Sequence, residues 1–463
     1  MPKSVSGRLR LLDATLDFRA GRDPHERLEV RMAALAKSIF RETASWASAE
    51  FLEALLADYP NPDFQVRLWD GNAWGAVEQP RFTLVLKHKG ALRAMFSRPS
   101  ELTLGETYIY DDFDIEGDIE AAFQLADYLL EHEHRHSLGK TLDLANRLRT
   151  LPVNNRAHKN RRPTNFNGSV HSRDRDRQAV TYHYDLPPEF YALWLDRRMV
   201  YSCAYFATPE EDLDSAQEHK LDYICRKLRL RRGEHLLDIG CGWGGLIMHA
   251  AAHYGVQAVG ITLSVPQAEL ARQRLRESGL NDRCRVEVSD YRDIEHGQPY
   301  DKIVSVGMFE HVGEELLPEY FSRAYQLLRP GGTFLNHGIA YSATCHRHRP
   351  SFSDRYVFPD SDLVPINTTL RAAELSGFEV RDVESLREHY ALTLHNWVQR
   401  LEAHAEEARR ITDDTTYRIW RLYMAGAAHR MRRSRLNVYQ TLLAKPAYGS
   451  SGLPLTRDDW YRV

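Results

Sequence analysis

The chain has 463 residues, of which 43% are hydrophobic, and its formal net charge is −3. This length predicts two domains, because a single hydrophobic core stops growing at about 250 to 300 residues. The near-neutral charge argues against a nucleic-acid partner, since nucleic-acid-binding proteins carry a basic excess.

The five cysteines are odd in number and irregularly spaced. This spacing does not suggest a disulfide framework and favours a reducing cytoplasm. Charged residues follow the first methionine where a signal peptide needs an apolar core. No run approaches the roughly 18 apolar residues of a membrane span. We therefore expect a cytoplasmic protein, soluble or peripheral on a membrane.

Residues 1–153 predict a small α+β domain with its own core. Helical spacing alternates there with short strand-like runs. In chain order these stretches are Leu28–Phe40, Ser48–Leu56, Phe64–Trp69, Phe82–Lys89 and Ile119–Leu130.

Residues 132–136 (HEHRH) match the zinc-protease pattern H-E-x-x-H, in which two histidines one helical turn apart bind the metal. The third ligand of the longer motif would fall on Leu142, which cannot bind zinc. Histidines at a helix end also face the negative end of the helix dipole favourably. We therefore favour a solvated helix end and predict no metal, with a zinc hydrolase using His132 and His136 as an alternative.

Residues 154–178 are rich in Asn, Arg, His, Ser and Asp. A stretch this polar cannot bury much apolar area, which predicts an interdomain linker. Its basic half could contact lipid phosphates, although a solvated charge run is favoured.

Residues 179–463 predict a doubly wound, Rossmann-like α/β domain, because short apolar strands alternate with helical stretches. Ser264 and Gln267 predict a capping box at the start of one helix. Residues 393–435 are helical in pattern and predict an insertion that covers the strand ends as a lid or as a wall of the substrate channel, with plain packing as the alternative. The predicted strands are Leu236–Ile239, Val256–Ile261, Arg285–Val288, Lys302–Val306, Thr333–His337 and a closing strand Asn437–Leu443.

Residues 236–245 (LLDIGCGWGG) read as a strand, a tight turn and a helix start. Gly240, Gly242 and Gly244 allow a sharp bend and a close approach to a ligand. A dinucleotide site would place an acid about twenty residues further on. That position falls near Thr262, so S-adenosylmethionine is the favoured cofactor.

Ligands of such sheets bind at the carboxyl ends of the strands. Three ionisable residues, Glu310, His311 and His337, fall near the point where a transferred methyl group would emerge. The predicted cofactor-binding residues at these ends are Asp238, Gly240, Gly242, Gly244, Thr262, Gln267, Asp290 and Tyr291.

Four motifs together resemble the cyclopropane-fatty-acyl-phospholipid synthase family and its mycolic-acid relatives. The resemblance covers about residues 180–450. The motifs are Tyr201–Phe206 (YSCAYF), Leu237–Gly245, Asp290–Asp293 (DYRD) and Ser305–Gly313 (SVGMFEHVG). Tyr201 and Ser202, in the first motif, complete the predicted cofactor site.

The resemblance implies methylene transfer from S-adenosylmethionine to a cis double bond of an unsaturated phospholipid acyl chain, forming a cyclopropane ring. It also implies a bound bicarbonate that acts as the base, a homodimer, and a peripheral location on the inner face of the membrane. The bicarbonate-binding residues that it implies are Cys203, Glu310, His337, the backbone of Ile339, and Tyr390.

The chemistry explains these residue types. An alkene is a weak nucleophile, so the donor must be held in line with it. The resulting cation must be protected from water and can be stabilised by aromatic faces, for which Tyr201, Tyr205 and Phe206 are candidates. Cys203 is better suited to holding an anion than to nucleophilic attack.

Two further alternatives remain open at this stage. A related lipid C-methyltransferase would give a methyl-branched or methylene product, and a lipid carrier would use the amino-terminal domain without catalysis. For membrane contact, the candidate surfaces are His346–Arg349 and the arginines at 430, 432, 433 and 435.

Overall fold

The computed structural model describes residues 43–60, 62–75, 77–132, 137–153, 166–184, 186–295, 297–345 and 351–461, with the side chains of 131 and 132 excepted. Four predictions lie wholly or largely outside these residues: the helix Leu28–Phe40, the H-E-x-x-H string from His132 to His136, the basic half of the linker (residues 154–165), and the basic surface His346–Arg349.

The amino-terminal part is a four-stranded sheet with helices packed on it. Its strand order is β2-β1-β3-β4, in which only β1 and β3 are parallel. The predicted strands and helices of this part that fall on described residues are confirmed. Its elements are α1 (residues 43–56), β1 (Phe64–Arg67), β2 (Ala73–Trp74), β3 (Phe82–Leu86), α2 (Ala91–Phe96), α3 (Glu101–Ile109), β4 (Phe113–Gly117), α4 (Ile119–His132) and α5 (Leu138–Thr150).

The carboxyl-terminal part contains a seven-stranded sheet with helices on both faces. Its first half comprises α6 (Arg173–Tyr184), α7 (Pro188–Ala192), α8 (Leu213–Leu228), β5 (His235–Ile239), α9 (Gly245–Tyr254), β6 (Gln257–Thr262), α10 (Val265–Glu277), β7 (Cys284–Val288) and β8 (Tyr300–Val306). Its second half comprises α11 (Leu317–Leu327), β9 (Leu328–Tyr341), α12 (Phe352–Tyr356), α13 (Ile366–Leu375), β10 (Glu379–Ser385), α14 (Arg387–Ala403), α15 (Ala405–Ile411), α16 (Asp414–Arg432), β11 (Leu436–Ala444) and α17 (Asp458–Tyr461).

The order of this sheet is β10-β11-β9-β8-β5-β6-β7. Strands β5 to β9 pair in parallel, whereas β11 pairs antiparallel with both β9 and β10. The predicted Rossmann-like α/β fold is therefore confirmed. The chain runs from β5 outward to β7 and then returns to β8 on the other side of β5, which opens a crevice at the carboxyl ends of β5 and β8.

Two sequence expectations need correction. The predicted linker is helical from Arg173 onward, because α6 packs against the sheet domain instead of remaining solvated. The amino-terminal part also lacks a separate core among the described residues. One apolar cluster runs from Phe64 and Leu86 through Trp194 to Trp397 and Trp420 of the helical insertion.

The arginines at 430, 432, 433 and 435 do not form a free basic surface. Arg430 pairs with Glu101, Arg432 with Glu120, and Arg435 with Asp127 at 2.7 Å, while Arg433 lies 4.0 Å from Asp127. These carboxylates belong to α3 and α4, so the arginines join the insertion to the amino-terminal part. Arg432 and Arg433 are nevertheless 43% and 59% exposed, so lipid contact by this surface stays a prediction.

Candidate active site

A cleft opens at the carboxyl ends of the parallel strands, where the sequence predicts a ligand. We call it the strand-end cleft. Of the predicted cofactor residues, those that line it are Tyr201, Ser202, Asp238, Gly240, Gly242, Thr262, Gln267, Asp290 and Tyr291.

The glycine loop shapes the floor of the strand-end cleft. Gly240 has φ +87°, and a Cβ there would lie 2.7 Å from Met308 Cβ. Gly242 also has positive φ, but a Cβ on it would meet open space, which leaves room for a ligand. The third predicted glycine, Gly244, caps α9, and a Cβ on it would face Ala271. Gly244 therefore supports the turn from beneath.

Thr262 and Gln267 act as a unit at the end of β6. Thr262 Oγ1 donates to Gln267 Oε1 at 2.8 Å and accepts from the backbone N–H of Ser264 at 3.2 Å. Ser264 Oγ accepts from the backbone N–H of Gln267, which confirms the predicted helix cap. The second half of the predicted capping box is replaced, because the Gln267 side chain contacts Thr262 instead of the cap backbone.

Asp290 remains anionic because of one arginine. Burial alone would raise the pKa of Asp290, but hydrogen bonds from Arg292 outweigh it and lower the pKa. The guanidinium of Arg292 donates to both carboxylate oxygens of Asp290, at 2.8 and 2.6 Å, and to Asp176 on α6 at 2.9 Å. This network fixes α6 against the strand-end cleft.

Three residues on α6 line the cleft, namely Asp176, Val180 and Tyr184, and none of them was assigned to the cofactor site from the sequence. Their spacing of four residues places them on one helix face. The surrounding Arg-Asp run masked this signal, because it reads as a solvated charge run.

Asp238 ends β5 with a buried carboxyl group. Burial raises its pKa to about 7, against a lowering effect of Lys220. Its Oδ1 has no hydrogen-bond partner among the described residues. Since unpaired buried polar atoms are costly, this oxygen is a candidate ligand contact.

A second group of buried residues adjoins the strand-end cleft, and we call Cys203, Glu310, His337 and Tyr390 the buried polar cluster. Cys203 directly follows Ser202, and Glu310 lies between two cleft-lining residues, Met308 and His311. Tyr390 interacts electrostatically with both Cys203 and Glu310. The structure thus brings Cys203, Glu310 and Tyr390 together from a loop, the turn after β8 and α14, while His337 lies inside β9, two residues before Ile339.

Glu310 and Ile339 make a direct contact. The backbone N–H of Ile339 donates to Glu310 Oε1 at 2.8 Å, while Oε2 is buried without a partner among the described residues. Burial raises the pKa of Glu310 to about 7. Near neutral pH this carboxyl group is therefore partly protonated and able to donate a hydrogen bond.

His337 is neutral, because burial lowers its pKa well below the usual value. Its Nδ1 lies 3.2 Å from Gln440 Nε2, while its Nε2 has no partner among the described residues. If the Gln440 amide donates to Nδ1, the ring proton lies on Nε2. Gln440 was not predicted, because an interior glutamine of a strand carries no motif.

Cys203 and Tyr390 are also uncharged. Burial raises the pKa of the Cys203 thiol and, to a larger extent, that of the Tyr390 phenol. The thiol donates to the Ala204 carbonyl at 3.2 Å and lies 3.7 Å from that of Leu386. A protonated thiol is a poor nucleophile, which agrees with the predicted role of Cys203 as a hydrogen-bond donor.

Aromatic rings surround the junction of the cleft and the buried polar cluster. Tyr201 lies 5.2 Å from Trp397 and 5.3 Å from Trp194 between ring centroids, and 6.0 Å from Trp420. Trp397 and Trp420 belong to the helical insertion, so the insertion forms part of the wall.

Two of the three predicted aromatic candidates lie elsewhere. Tyr205 packs on Tyr223 and stacks with His389 at 4.7 Å, and the Phe206 backbone N–H donates to His389 Nδ1. Neither residue lines the strand-end cleft.

Within the described ranges, no group of three or more His, Cys, Asp or Glu side chains could hold a metal ion. In the same ranges, no helix combines the length and apolar character that a bilayer crossing demands.

Comparison with known proteins identifies two matching family models. The model described as mycolic acid cyclopropane synthetase matches residues 171–441. A model described only as a domain of unknown function matches residues 51–133.

Two curated relatives align over almost their whole length. A probable fatty acid methyltransferase of Pseudomonas putida is 40% identical, covering 86% of this chain and 96% of the relative. A probable fatty acid methyltransferase of Mycobacterium tuberculosis is 34% identical, covering 89% and 98%.

Among solved structures, the cyclopropane synthase MmaA2 of Mycobacterium tuberculosis superposes with a TM-score of 0.56 at 33% identity, covering 58% of this chain and 97% of that one. The mycolic acid cyclopropane synthase CmaA1, complexed with S-adenosylhomocysteine and CTAB, gives 0.55 at 35% identity with the same coverage.

Proposed function

The chain belongs to the mycolic acid cyclopropane synthetase family of S-adenosylmethionine-dependent lipid methyltransferases, and from this premise we propose its reaction. The enzyme transfers a methylene unit from S-adenosylmethionine to the cis double bond of an unsaturated phospholipid acyl chain and forms a cyclopropane ring. Bicarbonate bound in the buried polar cluster serves as the base.

One observation carries the proposal: the strand-end cleft adjoins a dry cluster whose polar atoms lack partners within the described residues. Glu310 Oε2 and His337 Nε2 are both buried and unsatisfied. Buried polar groups in native proteins almost always have hydrogen-bond partners. A small ligand with several oxygen atoms would satisfy both.

The residues of the strand-end cleft fit S-adenosylmethionine. The turn at Gly242 leaves open space for a nucleoside, and Asp290 offers an anionic carboxylate suited to hydroxyl groups. Asp238 offers an unpaired oxygen for an ammonium group. We assign cofactor binding to these residues together with Tyr201, Ser202, Gly240, Thr262, Gln267 and Tyr291.

The buried polar cluster fits bicarbonate better than a bulkier anion or a cation. Its phenol and neutral imidazole can donate hydrogen bonds without carrying charge, and the uncharged thiol can do so if it turns away from the Ala204 carbonyl. An ionised Glu310 would repel an anion, but its pKa of about 7 allows the protonated form to donate from Oε2 near neutral pH.

S-adenosylmethionine supplies an electrophilic methyl group, and bicarbonate supplies a proton acceptor. The chain would contribute orientation, with the cleft residues holding the donor and the buried polar cluster holding the base. Tyr184 and Tyr201 line the cleft and can stabilise positive charge on the acyl chain through their ring faces. The tryptophans around Tyr201 exclude water, which would otherwise capture that charge.

The proposed phospholipid substrate lies in a membrane, so the enzyme must contact one. We propose peripheral contact with the inner face of the cytoplasmic membrane and a homodimeric assembly, both on the strength of the family resemblance. The enzyme must reach a double bond within the acyl layer, which favours attachment over release of the lipid into water.

Methyl-labelled S-adenosylmethionine and vesicles of cis-unsaturated phosphatidylglycerol test the proposal with the purified full-length chain. We expect the acyl chains to gain label and the mass of one CH2 group, with no loss of that product on hydrogenation. Removal of dissolved carbon dioxide is expected to slow the reaction, and added bicarbonate to restore it.

The controls separate the rival reactions. Vesicles of saturated phospholipid are expected to gain no label. A labelled product that takes up hydrogen would indicate a methylene chain, and one with a saturated branched chain a methyl-branched product. Either would replace cyclopropane formation with the alternative reaction, and unlabelled lipid would contradict both.

A further inference from the structure

Lys220, on α8, is a buried lysine that borders the strand-end cleft. Its side chain is 1% exposed, and its Nζ donates to Ser202 Oγ at 2.9 Å. One turn earlier, Gln217 Nε2 donates to the carbonyls of Val200 and Ser202. Helix α8 therefore holds both the backbone and the hydroxyl group of Ser202 in place.

The ammonium group of Lys220 has hydrogen-bond donors that are not used within the described residues. An ammonium carries three N–H donors, and within the described residues Ser202 Oγ is the one hydrogen-bond acceptor of Nζ. Burial of an incompletely satisfied charge is costly. Burial lowers the pKa of Lys220 to about 8, and two of the three donors of its ammonium group remain for a ligand within the described residues.

Two carboxylates balance the charge of Lys220. Asp196 accepts hydrogen bonds from the backbone N–H groups of Arg198 and Val200, so it is already engaged. Asp238 lines the same cleft as Lys220 and retains an unpaired Oδ1. The cleft therefore presents a cation with a hydroxyl group on one side and an unsatisfied carboxylate oxygen on the other.

This arrangement matches a zwitterion. The amino-acid end of S-adenosylmethionine carries a carboxylate and an ammonium group, separated by one carbon atom. We propose that Lys220 and Ser202 bind the carboxylate of that end, while Asp238 Oδ1 accepts from its ammonium. The inference rests on the cofactor of the proposed function and adds a residue that no motif identifies.

Binding measurements without lipid test this assignment. We would titrate the full-length chain with S-adenosylhomocysteine and with 5′-methylthioadenosine, which keeps the nucleoside and the sulfur but lacks the amino-acid end. Lys220→Met is expected to weaken S-adenosylhomocysteine binding about 10- to 100-fold, the range for a lost hydrogen bond to a charged group. Its affinity for 5′-methylthioadenosine is expected to stay unchanged.

Lys227→Met is the matched control. Lys227 is an equally buried lysine on α8, but it pairs with Glu384 outside the strand-end cleft. We expect this variant to lose stability and yet keep the ratio of the two affinities. Because a ratio is insensitive to the folded fraction, it remains informative even if a variant is partly unfolded. Lys220→Arg keeps the charge, so its affinity for S-adenosylhomocysteine relative to 5′-methylthioadenosine should stay closer to that of the unmodified chain than in Lys220→Met.

Two results for Lys220→Met would overturn the assignment. If binding of both ligands weakens equally, Lys220 has a structural role alone. If S-adenosylhomocysteine binds as tightly as it does to the unmodified chain, Lys220 does not contact the ligand. Failure of the proposed reaction can be told apart from failure of the Lys220 assignment. A chain that shows the Lys220-dependent ratio but leaves unsaturated phospholipid unlabelled supports the assignment and contradicts the proposed reaction.

Discussion

At the scale of single residues, the site is defined by buried groups whose ionisation is shifted toward the neutral form. Glu310 and Asp238 both have a pKa raised to about 7 by burial, and His337 is held neutral. Perturbed titration of this kind clusters at functional sites. The two carboxyl groups titrate within the physiological range, so the site is sensitive to pH.

The variant Glu310→Gln tests the ionisation of the Glu310 carboxyl group through the pH dependence of the free energy of unfolding. A raised folded-state pKa means that the stabilising contribution of Glu310 is fully present below its unfolded pKa and is lost as the pH rises through about 7. Glu310→Gln should therefore remove part of the decline in unfolding free energy between pH 5 and pH 8, at most about 3 kcal/mol. Urea unfolding of both chains at pH 5 and pH 8 measures this decline.

The control for this prediction is Glu315→Gln, which alters an exposed glutamate on the same segment. We expect it to leave the pH dependence unchanged. An equal pH dependence in the unmodified chain and in Glu310→Gln would show that Glu310 ionises as an ordinary surface carboxyl group.

Sequence patterns identified the site residues that lie in motifs. They missed the site residues that lie in the middle of helices and strands. Asp238 is the last residue but one of β5, and Asp290 and Glu310 lie in the turns after β7 and β8, so their place at the strand ends was predictable. Lys220 and Gln440 lie within α8 and β11, where polar residues in amphipathic elements read as ordinary surface. Their burial results from tertiary packing, which no local pattern reports.

At the scale of elements, α6 and the insertion α14–α16 complete the site from outside the sheet. Helix α6 contributes Asp176 to the Arg292 network and Tyr184 to the cleft. The insertion contributes Tyr390, Trp397 and Trp420 to the buried polar cluster and its aromatic wall. The predicted lid thus forms part of the site itself.

Asp176→Asn tests the role of α6. Arg292 would lose a charged partner that holds the helix against the cleft, so the affinity for S-adenosylhomocysteine should fall by up to about tenfold. Asp174→Asn, an exposed change on the same helix, should leave the affinity unaltered. Calorimetric titration compares them, and equal affinities in both variants would remove α6 from cofactor binding.

Trp420→Phe tests the insertion. Trp420 is 4% exposed and packs 5.3 Å from Trp194 and 5.1 Å from His183 between ring centroids. The smaller ring leaves a gap through which water can reach the cation, so we expect a larger fraction of hydroxylated, methylated product. Mass spectrometry of the lipid products measures this fraction.

The matched control is Trp46→Phe, at an exposed position on α1. Its products should equal those of the unmodified chain. An unchanged product distribution in Trp420→Phe would mean that the insertion does not exclude water from the site.

The parallel strands were predictable from the sequence because they are short, apolar and bounded by turn residues. Strand β10 was not, since Glu379–Ser385 alternates charged residues and lies at the sheet edge. Edge strands are stabilised by pairing along one side alone and tolerate charges. Helix α6 was missed for the opposite reason, because its charges form specific pairs that composition cannot distinguish from solvated ones.

At the scale of the whole molecule, the amino-terminal part and the insertion share one apolar core. Buried arginines of α16 strengthen that junction. Arg418 donates to the carbonyl of Tyr108 at 3.2 Å and to the carboxylates of Asp111 and Asp114 at 2.9 Å. Arg421 donates to the Tyr108 hydroxyl at 2.9 Å and to the Ile115 carbonyl at 3.1 Å.

Arg418→Met tests this junction. The change removes a buried guanidinium that joins three partly exposed carboxylates to the Tyr108 carbonyl, so we expect a loss of about 1 to 3 kcal/mol in unfolding free energy within a single cooperative transition. Arg410→Met, in an exposed ion pair with Glu407, should cost less than about 1 kcal/mol. A separate early transition of the amino-terminal part alone would contradict a shared core.

We propose that a nucleoside cleft and a dry anion pocket meet at Tyr201. A crystal structure with S-adenosylhomocysteine and bicarbonate would locate both ligands at once. We expect the nucleoside between Gly242 and Asp290, and the anion within hydrogen-bonding distance of Glu310 Oε2 and His337 Nε2. A nucleoside bound elsewhere, or continuous solvent between Cys203 and Glu310, would contradict the account.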